Sequence, residues 1–471
     1  MNLLNINSIV KNIIINRKLI LFSFIIFLCV SVKKRLIRNI KNINLIYSSI
    51  QSEMKLNFNY SINKIIRIAI YTVSMQDGGL QRITSKLINF LEPIKIFKIY
   101  LFNQKEKQPN EYKISNNINR VVIRNSANEK YLIKQIKKNK IDIFIYQFPK
   151  VKEIKALNNL KNVKVIFYIH SSFLYWFYSE NLKVLKIYNE YSNSKYIVSL
   201  TPLENNYLFE KWGINSILFD NFQTYDYNLS IQSNLLENKI LLIGRGRSEM
   251  KRFNLGIQAI EYIKNEISNV KLLIVSKYEG IQNLKNCIDN LDLGNNIVFA
   301  NYSSDPSIYY KSASLNFLTS MSESYSLVLS ETKIYGIPTI IMGLDFLSLA
   351  KKGTIIVYDD LPETLAKISV KILHEKLNKK YLSKNARKSM KKIRNELIFN
   401  KWKKLILLVY NDFANYTKYF LIKKNTNELH KILENQVILL NNRINYFGNI
   451  NISFIENLVK YNISDIKKFI H

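Results

Sequence analysis

The chain has 471 residues, 47% of them hydrophobic and 12% aromatic, with only 12 Gly and 7 Pro. This excludes large-scale disorder and low-complexity linkers and leaves room for two or three domains, each with its own core. Lys and Arg number 69 against 35 Asp and Glu, a formal charge of +34 that favours anionic partners such as membrane surfaces, nucleic acid or polyanionic glycans, although AT-rich codons for Lys, Ile, Asn and Tyr would produce much of the same excess.

Residues 1–60 read as a basic, partly apolar extension. Leu19 to Val32 is nearly all apolar, with Arg17-Lys18 before it and Lys33-Lys34-Arg35 after it. As a helix these 14 residues span about 21 Å, short of the roughly 30 Å hydrocarbon core, and cations rather than a small-residue cleavage site follow them. The expectation is a monotopic anchor at the inner membrane face, with a buried helix as the alternative. Only Cys29 and Cys287 occur, without a histidine nearby, so neither a disulfide framework nor a zinc site is supported and a reducing, cytosolic compartment fits.

From residue 65 to 222, strand candidates Ile65 to Val73, Phe97 to Phe102, Ile141 to Tyr146, Val163 to Ile169 and Tyr196 to Leu200 alternate with helices such as Gln81 to Leu91. After the polar stretch Gln223 to Asn238 comes a second series: Ile240 to Ile243, Val270 to Val275, Ile297 to Phe299, Leu315 to Leu318, Thr339 to Met342 and Ile355 to Tyr358. This alternation predicts an α/β chain with two doubly wound parallel sheets, whose ligands sit beyond the carboxyl ends of the strands. From 415 to 471 the alternation stops and a helical tail is expected, with Leu429, Ile432, Leu433, Val437, Leu440 and Ile444 forming an apolar stripe for an intramolecular or oligomer contact.

Four segments are candidates for chemistry. A strand ending in Val73-Ser74-Met75-Gln76-Asp77 leads through Gly78-Gly79 into a helix, a turn that lets backbone N–H groups approach an anion. His170 ends an apolar strand, at the ligand edge of the first sheet. Gly244-Arg245 followed by Lys251 supplies a planar fork of donors and a compact cation just after the first strand of the second series. Finally, Glu323-Ser324-Tyr325-Ser326-Leu327 precedes a short helix carrying Glu331, ended by Tyr335-Gly336-Ile337-Pro338. Glu323 lies before the helix and Glu331 on it.

Taken in order, these segments resemble the retaining glycosyltransferases of family 4 (glycosyl transferases group 1) over roughly residues 65 to 410. The resemblance implies a GT-B fold: two Rossmann-like domains facing across a cleft, an acceptor domain over 61–222 completed by helix 400–414, and a nucleotide-sugar donor domain over 237–399. It implies transfer of a sugar from a nucleotide-diphosphate donor to a glycan or lipid-linked acceptor with retained configuration, in cell-surface polysaccharide or glycolipid synthesis. Glu323, His170, Arg245 and Lys251 would be catalytic. Gly78, Gly79, Arg245, Lys251, Ser324, Tyr325, Ser326, Leu327 and Glu331 would bind the donor, Glu331 through its ribose hydroxyls. No metal or other cofactor is expected, and no Asp-x-Asp motif stands at a strand end. Nucleic acid is not an expected partner, since no recognition motif accompanies the charge. Three positions depart from the pattern: Arg252, Ser324 and Ser326 stand where the family often has glycine. The alternatives are a GT-B nucleotide-sugar epimerase and a non-catalytic GT-B relic that binds membranes or polyanions.

Overall fold

The structure is a computed structural model that describes residues 64–76, 78–124, 129–170, 183–227, 232–244, 249–276, 282–301, 303 and 305–412, together with 432, 435, 436 and 439. The amino-terminal extension with its apolar stretch, Arg245, the loop 173–178 and most of the tail lie outside the described residues.

Seven strands form the first sheet: β1 (Ile66–Thr72), β2 (Phe97–Asn103), β3 (Asn119–Val122), β4 (Ile143–Tyr146), β5 (Lys164–Tyr168), β6 (Tyr196–Ser199) and β7 (Ser216–Leu218), in the order β3-β2-β1-β4-β5-β6-β7. Every pairing is parallel. The second sheet contains β8 (Lys239–Ile243), β9 (Lys271–Ser276), β10 (Ile297–Asn301), β11 (Leu315–Leu318), β12 (Thr339–Met342) and β13 (Thr354–Val357), in the order β10-β9-β8-β11-β12-β13, also all parallel. Between strands run α1 (Gly79–Leu91), α2 (Glu129–Lys138), α3 (Val151–Asn158), α4 (Lys183–Ser192), α5 (Pro202–Trp212), α6 (Phe253–Glu266), α7 (Gln282–Asn290), α8 (Ser307–Ser312), α9 (Leu327–Ile334), α10 (Pro362–His374), α11 (Lys376–Met390) and α12 (Asn395–Tyr410). This is the expected pair of doubly wound Rossmann-like domains, the GT-B architecture.

Three sequence readings need correction. β3 and β7 are strands the patterning did not give, because one is a half-exposed edge and the other only three residues long. α1 begins at Gly79, not Gln81, so the turn at Gly78 runs directly into the helix, with Gly78 as its N-cap and Gly79 as its first residue. The last helix of the alternating region runs from Asn395 to Tyr410, earlier than 400–414.

The period-two alternation of strands explains how the second sheet is covered on both faces. Ile240 and Leu242 of β8, with Leu272 and Ile274 of β9, pack with Phe253, Ile257 and Ile260 of α6. Their neighbours Leu241, Ile243, Leu273 and Val275 belong instead to an apolar cluster that runs on into the first domain. The chain passes between domains twice, and the two passages are stitched together. The Gln223 N–H donates to Asn395 Oδ1 at 2.7 Å, and Asn395 Nδ2 donates back to the Gln223 carbonyl at 3.1 Å. α12 then lies on the first domain, with Phe399 stacked on Phe90 at 5.2 Å and the fully buried Trp402 edge-on to Tyr168 and Phe219. Of the tail, Ile432, Asn435, Gln436 and Leu439 are helical, and Asn435 and Gln436 both donate to Asp345 of the second domain, at 2.9 and 2.7 Å. Among the described residues no helix is long and apolar enough to cross a membrane.

α5 starts at a side-chain cap in which Thr201 Oγ1 accepts the Glu204 N–H at 3.0 Å. Glu204 is only 1% exposed, and burial pushes its carboxyl from an ordinary 4.5 up to about 8, partly opposed by the Leu200 backbone. Between those two values the folded chain keeps a proton that the unfolded chain has released, so this group costs stability progressively as pH rises from 4.5 to 8. Glu204→Gln is therefore expected to melt with the parent below pH 4.5 and several degrees above it at pH 8. Scanning calorimetry at the two pH values checks this, and an equal gap at both would contradict it.

Candidate functional site

The strand orders reverse between β1 and β4 in the first sheet and between β8 and β11 in the second. Loops leaving the carboxyl ends of strands that flank such a reversal diverge and open a crevice. The glycine turn follows β1, the Lys251 segment follows β8, and the Glu323 segment follows β11. Three of the four sequence segments therefore converge on the switch points because of topology, before any side chain is considered.

At the first of these, Gly78 has φ +112 and ψ 161, a region essentially restricted to glycine, and a Cβ there would sit 2.7 Å from Gln81 Oε1. A Cβ on Gly79 would lie 3.1 Å from Leu327 Cδ1. The first turns of α1 and α9 thus abut across the domain boundary, and both present helix N-termini to the same place.

At the second, a single 3₁₀ turn over Glu249–Lys251 carries Lys251, whose Nζ is ion-paired with Glu323. Because β8 and β11 are hydrogen-bonded neighbours, their following loops lace together: Thr319 Oγ1 donates to the Lys251 carbonyl at 2.6 Å and the Met321 N–H to the Met250 carbonyl at 2.8 Å. Ser320 Oγ donates to Glu323 Oε1 at 2.9 Å. The Lys251 and Glu323 side chains keep 23% and 15% of their surface, so the pair is reachable by a ligand. Arg252, standing where glycine was expected, has φ +46, the left-handed conformation that glycine adopts freely. The strain of about 1 kcal/mol is offset by an Asp360 ion pair at 2.8 Å and a bond to the Thr319 carbonyl at 2.8 Å.

At the third, Ser326, another of the three glycine replacements, also has a positive φ, +63, and caps α9 by accepting the Leu329 N–H at 3.3 Å. The first intrahelical bond of α9 is Ser330 N–H to the Ser326 carbonyl, so the Leu327 and Val328 N–H groups have no intrahelical partner and point out of the helix start. Ser324 is half-buried, whereas Tyr325 and Ser326 are 1% and 6% exposed and offer a ligand only their backbone. Glu331 is 2% exposed. Arg82 Nη1 of α1 donates to its Oε1 at 2.6 Å, and the Tyr310 hydroxyl donates to Oε2.

His170 follows β5 and is half-buried, its ring centroid 3.9 Å from that of Tyr168. The amide of Gln147 donates to the Tyr71 carbonyl at 3.1 Å and to Thr84 Oγ1 at 3.0 Å, which leaves Gln147 Oε1 to accept from His170 Nε2 at 3.0 Å. The proton therefore sits on Nε2. Enclosure by protein lowers the imidazole pKa to about 3, so His170 is neutral at any physiological pH. Among the described residues no hydrogen bond joins His170 to Lys251, Glu323 or Glu331; it borders a small cavity with Gln147, Pro149, Ile169, Tyr188 and Tyr191.

Arg82, Tyr310, Gln147 and Ser320 were not among the site residues expected from the sequence. Only Arg82 left a signal: it falls on the face of α1 that also buries Ile83, Leu87, Ile88 and Leu91, where a lone cation needs a partner. Among the described residues no group of three or more His, Cys, Asp or Glu side chains is placed to hold a metal ion.

Residues 229–389, which span the Lys251, Glu323 and Glu331 segments, match the family model for glycosyl transferases group 1. An uncharacterized glycosyltransferase of Haemophilus influenzae is 29% identical over 188 residues, 39% of this chain; the chain spans about half, 52%, of that relative. Among solved structures, the sucrose-phosphate synthase of Thermosynechococcus elongatus superposes with a TM-score of 0.62 at 16% identity, over 74% of this chain and 100% of that one. A glycosyltransferase from Rickettsia africae gives 0.56 at 17%, over 75% and 99%. The Anabaena HepE protein in complex with UDP and glucose gives 0.59 at 14%, over 73% and 99%. These identities carry the fold, and the fold is GT-B.

Proposed function

We propose that this chain is a retaining glycosyltransferase of family 4 that moves a sugar from a nucleotide-diphosphate donor to a hydroxyl of a glycan or lipid-linked acceptor, in cell-surface polysaccharide or glycolipid synthesis. The observation that carries this reading is the meeting of the Lys251–Glu323 ion pair, the open N-terminus of α9 and the Gly78–Gly79 turn at the switch points of the two sheets. A Glycosyl transferases group 1 match across the second domain supports it, as does a GT-B neighbour whose crystals contain UDP and glucose.

In this reading the barrier is departure of the nucleoside diphosphate. The bond from the anomeric carbon to the leaving phosphate oxygen breaks, positive charge grows on the sugar, and negative charge grows on the diphosphate. Lys251, the Leu327 and Val328 N–H groups, the Gly78–Gly79 turn and Arg245 neutralise the leaving group, which is why no metal ion is required. Glu323, fixed by Lys251 and Ser320, stabilises charge near the anomeric carbon. The acceptor hydroxyl attacks the face from which the leaving group departs and gives its proton to the departing phosphate oxygen, so configuration is retained. His170, neutral and with its Nδ1 lone pair unprotonated, orients a sugar or acceptor hydroxyl and is not a cation. The basic extension holds the enzyme as a peripheral or monotopic protein at the cytoplasmic membrane face, where lipid-linked acceptors reside.

A panel of nucleoside diphosphates and nucleotide sugars should raise the melting temperature for one base class, with the shift lost in Lys251→Met. Stabilisation by none of them would favour the non-catalytic reading.

A further inference from the structure

We propose that Arg82 is a positioning residue that holds the Glu331 carboxylate in the orientation needed to receive the donor's nucleoside, and so ties the glycine turn of the first domain to the helix of the second. The inference rests on the glycosyl-transfer reading above. Arg82 lies on the buried face of α1, three residues beyond Gly79. Its Nη1 donates to Glu331 Oε1 at 2.6 Å, its Nε donates to the Tyr112 hydroxyl at 3.3 Å, and its guanidinium carbon stands 5.4 Å from the centroid of the Tyr112 ring. Tyr112 is fixed in turn by its N–H to the Met75 carbonyl at 2.9 Å, in the segment that connects β1 to Gly78. Beyond the carboxylate, Tyr310 donates to the second oxygen and is itself stacked on Tyr335 at 5.3 Å.

Both members of the Arg82–Glu331 pair are buried, with side chains 10% and 2% exposed. Removing two charges from water costs about as much as their attraction returns, so such a pair is a poor device for stability alone. A guanidinium fork is, however, a good device for fixing the plane of a carboxylate. Lys86, one turn further along α1, is close enough to feel the same site: burial lowers its pKa first, Arg82 lowers it further, and Glu331 opposes both. α1 therefore presents two cations to one carboxylate, a local excess of positive charge that suits an anionic donor while Arg82 keeps Glu331 in place for neutral hydroxyls.

The test separates the two parts of the ligand. Titration calorimetry on the parent, Arg82→Lys, Arg82→Met and Tyr112→Phe would measure binding of UDP, GDP and ADP, and separately of inorganic pyrophosphate. Pyrophosphate probes the glycine turn, the start of α9 and Lys251 without reaching for Glu331. Whichever nucleoside diphosphate the parent binds is expected to weaken about 10- to 100-fold in Arg82→Met and less in Arg82→Lys, while pyrophosphate affinity stays within about twofold. Tyr112→Phe keeps the ring beside the guanidinium and removes one hydrogen bond. It is expected to fold as the parent does and to weaken the nucleotide a few-fold, so the test survives a failure of Arg82→Met to fold. Equal weakening of both ligands would make Arg82 a merely structural residue and overturn the inference, as would a nucleotide affinity that no variant changes. A parent that binds pyrophosphate but none of the nucleotides would instead sink the glycosyl-transfer reading, and this inference with it.

Discussion

Lys251→Met is expected to lower turnover of a nucleotide sugar about 100- to 1,000-fold, the scale seen when one preorganised group is removed from a developing anion. The same change should shift stability by only about 1 kcal/mol, because the Lys251 and Glu323 side chains keep 23% and 15% of their surface and water can replace the lost partner. The asymmetry follows from position. Lys251 sits on a 3₁₀ turn whose Lys251 and Met250 carbonyls accept from the Thr319 hydroxyl and the Met321 N–H, and its amine adds charge to the crevice without being needed to build it. Steady-state rates and urea unfolding on one preparation check both halves. A loss of rate matched by a comparable loss of fold would remove Lys251 from the leaving-group role.

Glu331→Ala should fail in the opposite way, losing stability as well as nucleotide binding. Its removal leaves the Arg82 guanidinium buried without its anion and strips the Tyr310 hydroxyl of its acceptor, a penalty of about 3–5 kcal/mol for an uncompensated buried charge. Combining Glu331→Ala with Arg82→Met removes the stranded charge and should recover most of that loss while binding stays absent. Denaturant midpoints for the two single variants and the double variant measure this. Additive losses would show that the two residues do not act as a pair.

The segments that shape the crevice were legible because their chemistry is local. Gly78 sits at a φ of +112 that only glycine tolerates, and Gly336 at +72 ends α9 before Pro338 as the sequence implied. Strands with unbroken apolar runs, such as Ile68 to Tyr71 within β1 and the whole of β4, announced a sheet covered on both faces. What remained hidden was non-local. Arg82 and Glu331 are 249 positions apart, and no periodicity links a cation on one helix to a carboxylate on another. Arg252 and Ser326 hid a backbone that glycine would have declared, since each adopts a positive φ and is held there by bonds to distant residues or by its own cap. His170 was visible as a strand-end histidine, but its neutrality depends on enclosure and on the orientation of Gln147.

In the proposed function, the crevice between the glycine turn, Lys251 and α9 receives the diphosphate of a sugar donor. A crystal structure grown with the nucleoside diphosphate picked out by thermal stabilisation tests this most directly. The expected result is a diphosphate against Gly78–Gly79, the Leu327 and Val328 N–H groups and Lys251, with the ribose turned toward Glu331. A nucleotide held only by surface lysines, with the crevice empty at saturating ligand, would contradict it.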